Sequence, residues 1–228
     1  MKYFILKHNG LNLKETGTQF QSVDGILGDI QQDFIPFEGK IDFPFKLPEP
    51  FLQKKAKPTT FLNVIMIPAQ FLVFKKHFVN FLENFNAGEF QTWDVIVHQN
   101  NEIINDYSMF YIPDNPQTEI IDFKKSKFEI NEDWIIRSTV GEIVEFANYE
   151  EYLSSLFKHT TPPYLIANKL LLDFSKQSKD LIRLTNMPMT GNGYYVSEKL
   201  KNAIENERFT GFAFQEIEEI DNRIKVIY

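Results

Sequence analysis

The chain of 228 residues contains no cysteine. Disulfides, thiolate metal sites, iron–sulfur clusters and cysteine nucleophiles are therefore excluded. Histidine is scarce: His8, His77, His98 and His159 are the whole set, and no two of them form a helical zinc pair. Long apolar runs are missing as well. Tyr3 to Leu6 is interrupted by Lys7 and His8, too short for the core of a secretion signal. No window approaches the roughly 18 apolar residues that span a bilayer. A cytoplasmic location without a membrane partner is the resulting expectation. Glycine is sparse, and its one compact motif, Gly191-Asn192-Gly193, lacks both the lysine of a phosphate loop and the third glycine of a dinucleotide fingerprint. It reads as a mobile turn. Nucleophile elbows, kinase signatures and zinc spacings do not occur.

What is abundant is phenylalanine, with 23 residues, and acid, with 31 Asp and Glu against 24 Lys and Arg for a formal charge of −7. Phe, Ile, Lys and Asn share AT-rich codons, so the phenylalanine excess is partly compositional. Phenylalanine is mostly a core residue, and the competing reading is an exposed aromatic interface. The acidic balance disfavours a nucleic-acid ligand, whose phosphates it would repel. It suits solubility and, more specifically, a basic protein partner drawn in by the opposite field.

Residues 1 to 112 read as one lobe. Met1 to Lys7 is an opening strand, and Gly10 to Asp33 is polar and loop-like. Phe34 to Thr59 carries Pro36, Pro44, Pro48, Pro50 and Pro58 between Phe34, Phe37, Phe43, Phe45 and Phe51. Proline at this density forbids a helix, so an extended segment pinned by its aromatics is expected. Phe61 to Ile67 reads as a buried strand. Phe71, Phe74, Phe78, Phe81, Leu82 and Phe85 then recur at helical spacing, which predicts an amphipathic helix ended by Gly88. Trp93 to His98 and Ile103 to Ile112 read as strands joined at Asn100-Asn101.

Pro113 to Pro116 is a break, and 113 to 228 read as a second lobe or as the rest of one continuous domain. Glu119 to Phe123, Lys127 to Ile130, Leu181 to Leu184, Phe212 to Ile217 and Arg223 to Tyr228 look like strands. Trp134 to Ser138 and Glu142 to Phe146 look like a hairpin around Gly141. Tyr149 to Phe157 reads as a helix, Tyr164 to Phe174 as helix or strand, and Met187 to Gly193 as a loop. Ser197 is an N-cap for a helix running to about Arg208. At an offset of 122, Asn80, Glu83, Asn84 and Phe90 match Asn202, Glu205, Asn206 and Phe212, the trace expected of an ancient duplication. The predicted class is α+β, with mixed, largely antiparallel sheet and a few amphipathic helices.

Candidate chemistry is thin. Asp94 and His98 lie four apart on one strand and so face the same side, where a carboxylate can orient an imidazole base. They are equally a solvated pair. Glu216, Glu218, Glu219 and Asp221 form an acidic run that reads as a charged strand edge, or as a face for a basic partner. As a metal site it lacks histidine and fixed geometry.

The C-terminal third carries the most specific pattern. Leu181-Ile182-Arg183-Leu184, a loop, Tyr195-Val196-Ser197-Glu198-Lys199-Leu200-Lys201 and then Phe209-Thr210-Gly211-Phe212-Ala213-Phe214 resemble a widespread bacterial immunity-protein family. That family was first catalogued as a domain of unknown function and is encoded beside polymorphic toxins. Asp122 and Ser126 resemble the same family's Asp-x-x-x-Ser segment, and the likeness covers roughly 120 to 217. Phe123 stands where an indole is usual, and the Thr185-Asn186 loop departs from the pattern. Each matched residue has a structural reason: Ser197 caps a helix, Gly211 permits a reversal, and Asp122 and Ser126 can bond backbone in a turn. The resemblance implies a non-enzymatic protein that binds a cognate toxin domain, expected to be basic, and needs no cofactor or metal. It transfers no toxin-contact residue. An uncharacterised hydrolase or transferase using Asp94 and His98, and a carbohydrate- or peptide-binding module with exposed aromatics, are the rival expectations. A deep pocket lined by histidine and carboxylates would favour the enzyme, and a flat acidic face would favour toxin binding.

Overall fold

The computed structural model describes residues 1–26, 39–64, 70–114, 116–132 and 141–228. In chain order the first half runs β1 (Tyr3–His8), α1 (Leu13–Thr16), β2 (Ser22–Ile26), β3 (Glu49–Leu52), β4 (Phe61–Leu62), β5 (Leu72–Lys75), α2 (Lys76–Leu82), β6 (Gln91–Gln99) and β7 (Glu102–Tyr111). The second half runs α3 (Gln117–Ile120), β8 (Lys127–Asn131), β9 (Glu142–Val144), α4 (Tyr149–Lys158), β10 (Tyr164–Asp173), β11 (Leu181–Met187), β12 (Gly191–Ser197), α5 (Glu198–Asn206), β13 (Phe212–Glu216), a 3-10 turn (Ile217–Glu219) and β14 (Ile224–Ile227). The fold is α+β.

The strands form three sheets, ordered β11-β12-β1-β13, β14-β10-β8-β9 and β2-β3-β6-β7-β5-β4. Pairing is antiparallel except between β10 and β14 and between β3 and β6. The central strand β1 explains the layering. Its first four residues, Tyr3, Phe4, Ile5 and Leu6, are all buried, and their alternation sends them to opposite faces. Tyr3 and Ile5 join Phe128, Tyr152, Leu172 and Phe174 in a core against the β10 sheet and α4. Phe4 and Leu6 join Phe74, Phe78, Phe110 and Leu200 in a second core against the six-stranded sheet. That sheet is divided the same way: Phe110 and Phe74 face the second core, while Tyr107, Met109 and Val73 face a third, closed by Phe71 and Trp93. Most of the phenylalanine is thus spent on facing sheets. β1 pairs on both sides with strands from residues beyond 113, and the second core draws on both portions of the chain.

Two units share one topology. In one, β4 pairs with β5, α2 leaves β5 directly, and β6 returns on the far side of β7. In the other, β11 pairs with β12, α5 leaves β12 directly, and β13 returns on the far side of β1. The helices α2 and α5 both bury their apolar faces in the second core, through Phe78 and Leu82 and through Leu200 and Ile204. The offset of 122 aligns the first residues of these two helices, Lys76 and Glu198, although of the matched residues only Asn80 and Asn202 lie within both.

Local signals account for most of the helices and turns. Ser197 Oγ accepts the Leu200 amide at 3.1 Å, starting α5. Asn148 Oδ1 accepts the Glu151 amide at 3.0 Å, starting α4, while Glu151 accepts the Ala147 amide at 2.9 Å. Asn100 and Asn101 adopt φ of 51° and 67°, the pair of positive values that a tight hairpin demands. Other expectations are corrected. The stripe beginning at Phe71 is not one helix: Phe74 lies on β5, and α2 spans only Lys76–Leu82. A strand and a helix that follow one another and face one core mimic a single helical period. Glu119 and Ile120 lie in α3 rather than a strand, with Pro116 just ahead of its first turn, where a missing amide costs nothing. The loop expected over 10 to 33 contains α1 and β2. Tyr164–Asp173 is a strand. The partner of β9 is β8, and the expected strand at 134–138, like Phe34, Phe37 and Pro68, lies outside the described residues.

His8, at the end of β1, packs edge-on against Phe61, and both ring nitrogens are shielded from solvent. Burial pushes its pKa down to about 4, with Gln21 and the Phe61 backbone offsetting part of the effect. In the unfolded chain the ring titrates near its ordinary value of about 6.5. Between the two values the unfolded state takes up a proton that the fold refuses, so stability falls as pH drops from about 6.5 and levels off below about 4. The expected loss is at most about 3 kcal/mol, reduced where solvent reaches the ring. Denaturant titrations across that window should show it, and His8→Gln should flatten it. An unchanged slope in the variant would contradict the assignment.

Candidate partner-binding site

The acidic run begins where β13 ends. Glu216 pairs with Lys2 at 2.6 Å, a contact that raises the Lys2 pKa. Ile217 is buried in the first core and pins the 3-10 turn. Glu218 and Glu219, on that turn, are exposed and make no ion pair among the described residues. Asp221 takes the Arg223 guanidinium through both oxygens, at 2.7 Å to Nε and 2.5 Å to Nη2, and Arg223 Nη1 donates to the Ala167 carbonyl at 3.1 Å. The four carboxylates read together in the sequence therefore divide. Glu216 and Asp221 are committed within the chain, and Glu218 and Glu219 are left facing solvent.

Directly after them, Ile220, Asp221 and Arg223 form one wall of a cleft of about 600 Å³. Its floor is apolar, with Phe128 and Leu165, and its far lip is the β11–β12 connection. That connection is not the loose turn expected from Gly191-Asn192-Gly193. Gly191 opens β12 opposite Met187. Asn192 Oδ1 accepts the Asn186 amide at 2.7 Å, and the hydroxyls of Tyr152 and Tyr149 donate to the carbonyls of Asn186 and Thr185, each at 3.2 Å. Asn186, Met189 and Gly191 hold φ of 49°, 66° and 68°. For Met189 this is a sparsely populated conformation that its surroundings must impose.

Asp94 and His98 do share a side of β6, yet each has its own partner. Asp94 bonds Lys76 at 2.8 Å and Ser108 at 3.2 Å, and the Lys76 bond leads the causes that lower its pKa. His98 stacks on Phe51 with ring centroids 4.5 Å apart and meets Glu49 at 3.0 Å. Among the described residues no group of three or more His, Asp or Glu side chains is placed to hold a metal ion, and no helix is long and apolar enough to cross a membrane.

The remaining motif residues sit at structural junctions. Asp122 Oδ1 accepts the Lys125 amide at 3.1 Å in a turn, while Ser126 Oγ accepts the Leu171 amide of β10 at 3.0 Å, so the serine ties two strands. Arg183, on β11, is fully buried with its guanidinium 4.7 Å over the Tyr111 ring, linking the β1 sheet to the six-stranded sheet. Gly211 has φ of 89°. Sequence reading missed Asp180. It is buried beside the α5 cap, accepting from Ser197 Oγ at 2.8 Å, from Lys199 Nζ at 2.9 Å and from the Asn86 amide at 3.0 Å. The available signal was the hairpin register: Leu181 pairs with Val196, which sets the preceding residue against Ser197.

No protein-family model matches the chain, and no curated protein matches it.

Proposed function

We propose that this chain is an immunity protein, which binds a cognate toxin domain in the cytoplasm and blocks it by stoichiometric contact. The observation that carries the reading is the 3-10 turn after β13, where Glu218 and Glu219 stand exposed and, among the described residues, without an ion pair, beside an apolar-floored cleft. Free carboxylates next to apolar surface suit a basic polypeptide, with the charges steering approach and the cleft taking side chains. A toxin that attacks nucleic acid is the partner class that fits, because it needs a basic surface to hold phosphates. The motif residues lend support from another side. Ser197, Gly211, Asp122, Ser126 and Arg183 all have structural work within the fold. A shared scaffold of this kind leaves the surface free to differ between cognate pairs. Asp94 and His98, each with a separate partner, lend the hydrolase or transferase reading no support.

The test is association with the toxin domain encoded beside this chain, followed across a salt series. The on-rate is expected to fall about tenfold or more as salt rises. Glu218→Lys with Glu219→Lys should lower it further at low salt. Charge reversal at Glu216 or Asp221 breaks an internal ion pair instead and should act on stability. A rate flat in salt would remove the steering. Failure to bind the toxin, or to rescue cells expressing it, would remove the immunity function itself.

A further inference from the structure

A second surface differs from the rest of this acidic molecule. Leu11, Leu13 and Phe20 are 86%, 56% and 51% exposed, within ten residues of one another around α1. Isolated exposed apolar residues are ordinary, but a cluster is not. The 53–57 segment is fastened alongside. The Lys57 amide donates to the Thr16 carbonyl at 2.8 Å, Lys57 Nζ to the Lys14 carbonyl at 2.7 Å, and Gln53 Nε2 to the Phe20 carbonyl at 2.8 Å. This brings Lys54, Lys55 and Lys57, with Lys14, all exposed, beside the segment that carries the three apolar side chains. None of the four ammonium groups has an ion-pair partner among the described residues. The nearest carboxylate in sequence, Glu15, is engaged by the Gly211 amide and by Asn12 Nδ2.

We propose that this patch is a peripheral docking surface for an anionic lipid bilayer. Leucine and phenylalanine tips enter the boundary between headgroups and acyl chains while lysines reach the lipid phosphates, the pattern of surface-lying anchors. Lysine is depleted from protein interfaces, which prefer arginine and aromatic anchors, and that argues against a protein partner here. A nucleic acid would use the lysines and the Phe20 ring but would leave Leu11 and Leu13 in water. The contact lies on the surface and needs no spanning helix. Its placement also orients the molecule. Glu15 fastens the patch to Gly211, next to the first residue of β13, whereas the Glu218–Glu219 turn follows that strand's other end, roughly 15 Å along. A membrane-docked molecule would hold its acidic turn away from the anionic surface.

The experiment is co-sedimentation of the full chain with vesicles of mixed phosphatidylglycerol and phosphatidylcholine, against vesicles of phosphatidylcholine alone. Binding is expected to the anionic vesicles only and to weaken with salt. Leu11→Asp with Leu13→Asp should reduce partitioning about tenfold or more, and Lys54→Glu with Lys55→Glu should do likewise. Both double variants alter exposed side chains, so an unchanged thermal midpoint will show that the fold is intact. Absence of binding to anionic vesicles, equal binding to neutral ones, variants that bind like the parent, or preference for single-stranded nucleic acid or an acidic polypeptide would each overturn the proposal. Toxin binding is read separately, so either assignment can fail alone.

Discussion

Gly211→Val is expected to lower the thermal midpoint by about 8–16 °C, or to leave no folded protein to measure. Gly211 holds φ of 89°, a region that a β-branched residue enters only with strain. Conformation alone would cost about 1–3 kcal/mol. Crowding adds to it. A Cβ at this position would run into the Phe61 carbonyl oxygen and lie 2.9 Å from Thr59 Oγ1. Neither group can retreat freely, because Thr59 Oγ1 donates to that same carbonyl at 2.6 Å and the Phe61 amide is held by the Thr210 carbonyl at 2.9 Å. Forcing apart such backbone costs a further 1–3 kcal/mol or so, about 4 kcal/mol in total. For a chain of this size each kcal/mol moves the midpoint by about 2–4 °C. Because the clash begins at Cβ, Gly211→Ala should carry much of the penalty. Circular dichroism melts of the two variants would decide it, and an alanine variant as stable as the parent would refute the steric part.

Asp180→Ala is expected to cost about 2–4 kcal/mol, well beyond the 1 kcal/mol or so expected of Ser197→Ala. Burial on its own pushes the Asp180 carboxyl up, but the Lys199 ammonium, the Ser197 hydroxyl and the Asn86 amide more than offset it and hold its pKa below the ordinary value. The carboxylate is therefore charged in the fold, and its contribution is present above the unfolded pKa of about 3.9 and lost as pH falls through the lower folded value. Removing it strands a buried hydroxyl and the Asn86 amide. The damage also spreads beyond α5. Asp180 and Asn86 are joined again through their backbones, with the Asp180 amide donating to the Asn86 carbonyl at 2.6 Å. Asp180→Asn keeps the shape and loses the charge, so it should fall between the parent and the alanine variant. Chemical denaturation of the three variants gives the ranking, and Asp180→Ala no worse than Ser197→Ala would show that the carboxylate is dispensable.

These two residues also show which features could be read from the chain in advance. Gly211 and Ser197 stood out because helix starts and reversals are local events, specified by side chains within a few positions of the backbone they serve. The β6–β7 hairpin was visible for the same reason, through Asn100-Asn101. Asp180 was not, since one carboxylate among 31 acidic residues has no pattern, and its partners come from 94, 17 and 19 positions away. The acidic run was found, but its division was not. That Glu216 and Asp221 have cations of their own depends on β1 bringing Lys2 beside β13 and on Arg223 turning back toward Asp221. The lysine and leucine patch was overlooked because its two segments, about 40 residues apart, are polar and unremarkable until they are laid side by side.

The placement of β1 bears on the order in which the molecule can assemble. The β5–α2–β6 unit takes its middle strand, β7, from the residues that follow at once, through a hairpin that closes quickly. The β12–α5–β13 unit has no such neighbour, and its middle strand is the first in sequence. During synthesis β1 emerges well before its partners β12 and β13 and must remain unpaired until nearly two hundred further residues have been added, its apolar residues and both edges open meanwhile. Closing so long a loop is slow. The second core, which needs β1 together with α2 and α5, is accordingly the last to form, and cooperative stability comes only once β12 and α5 have been made.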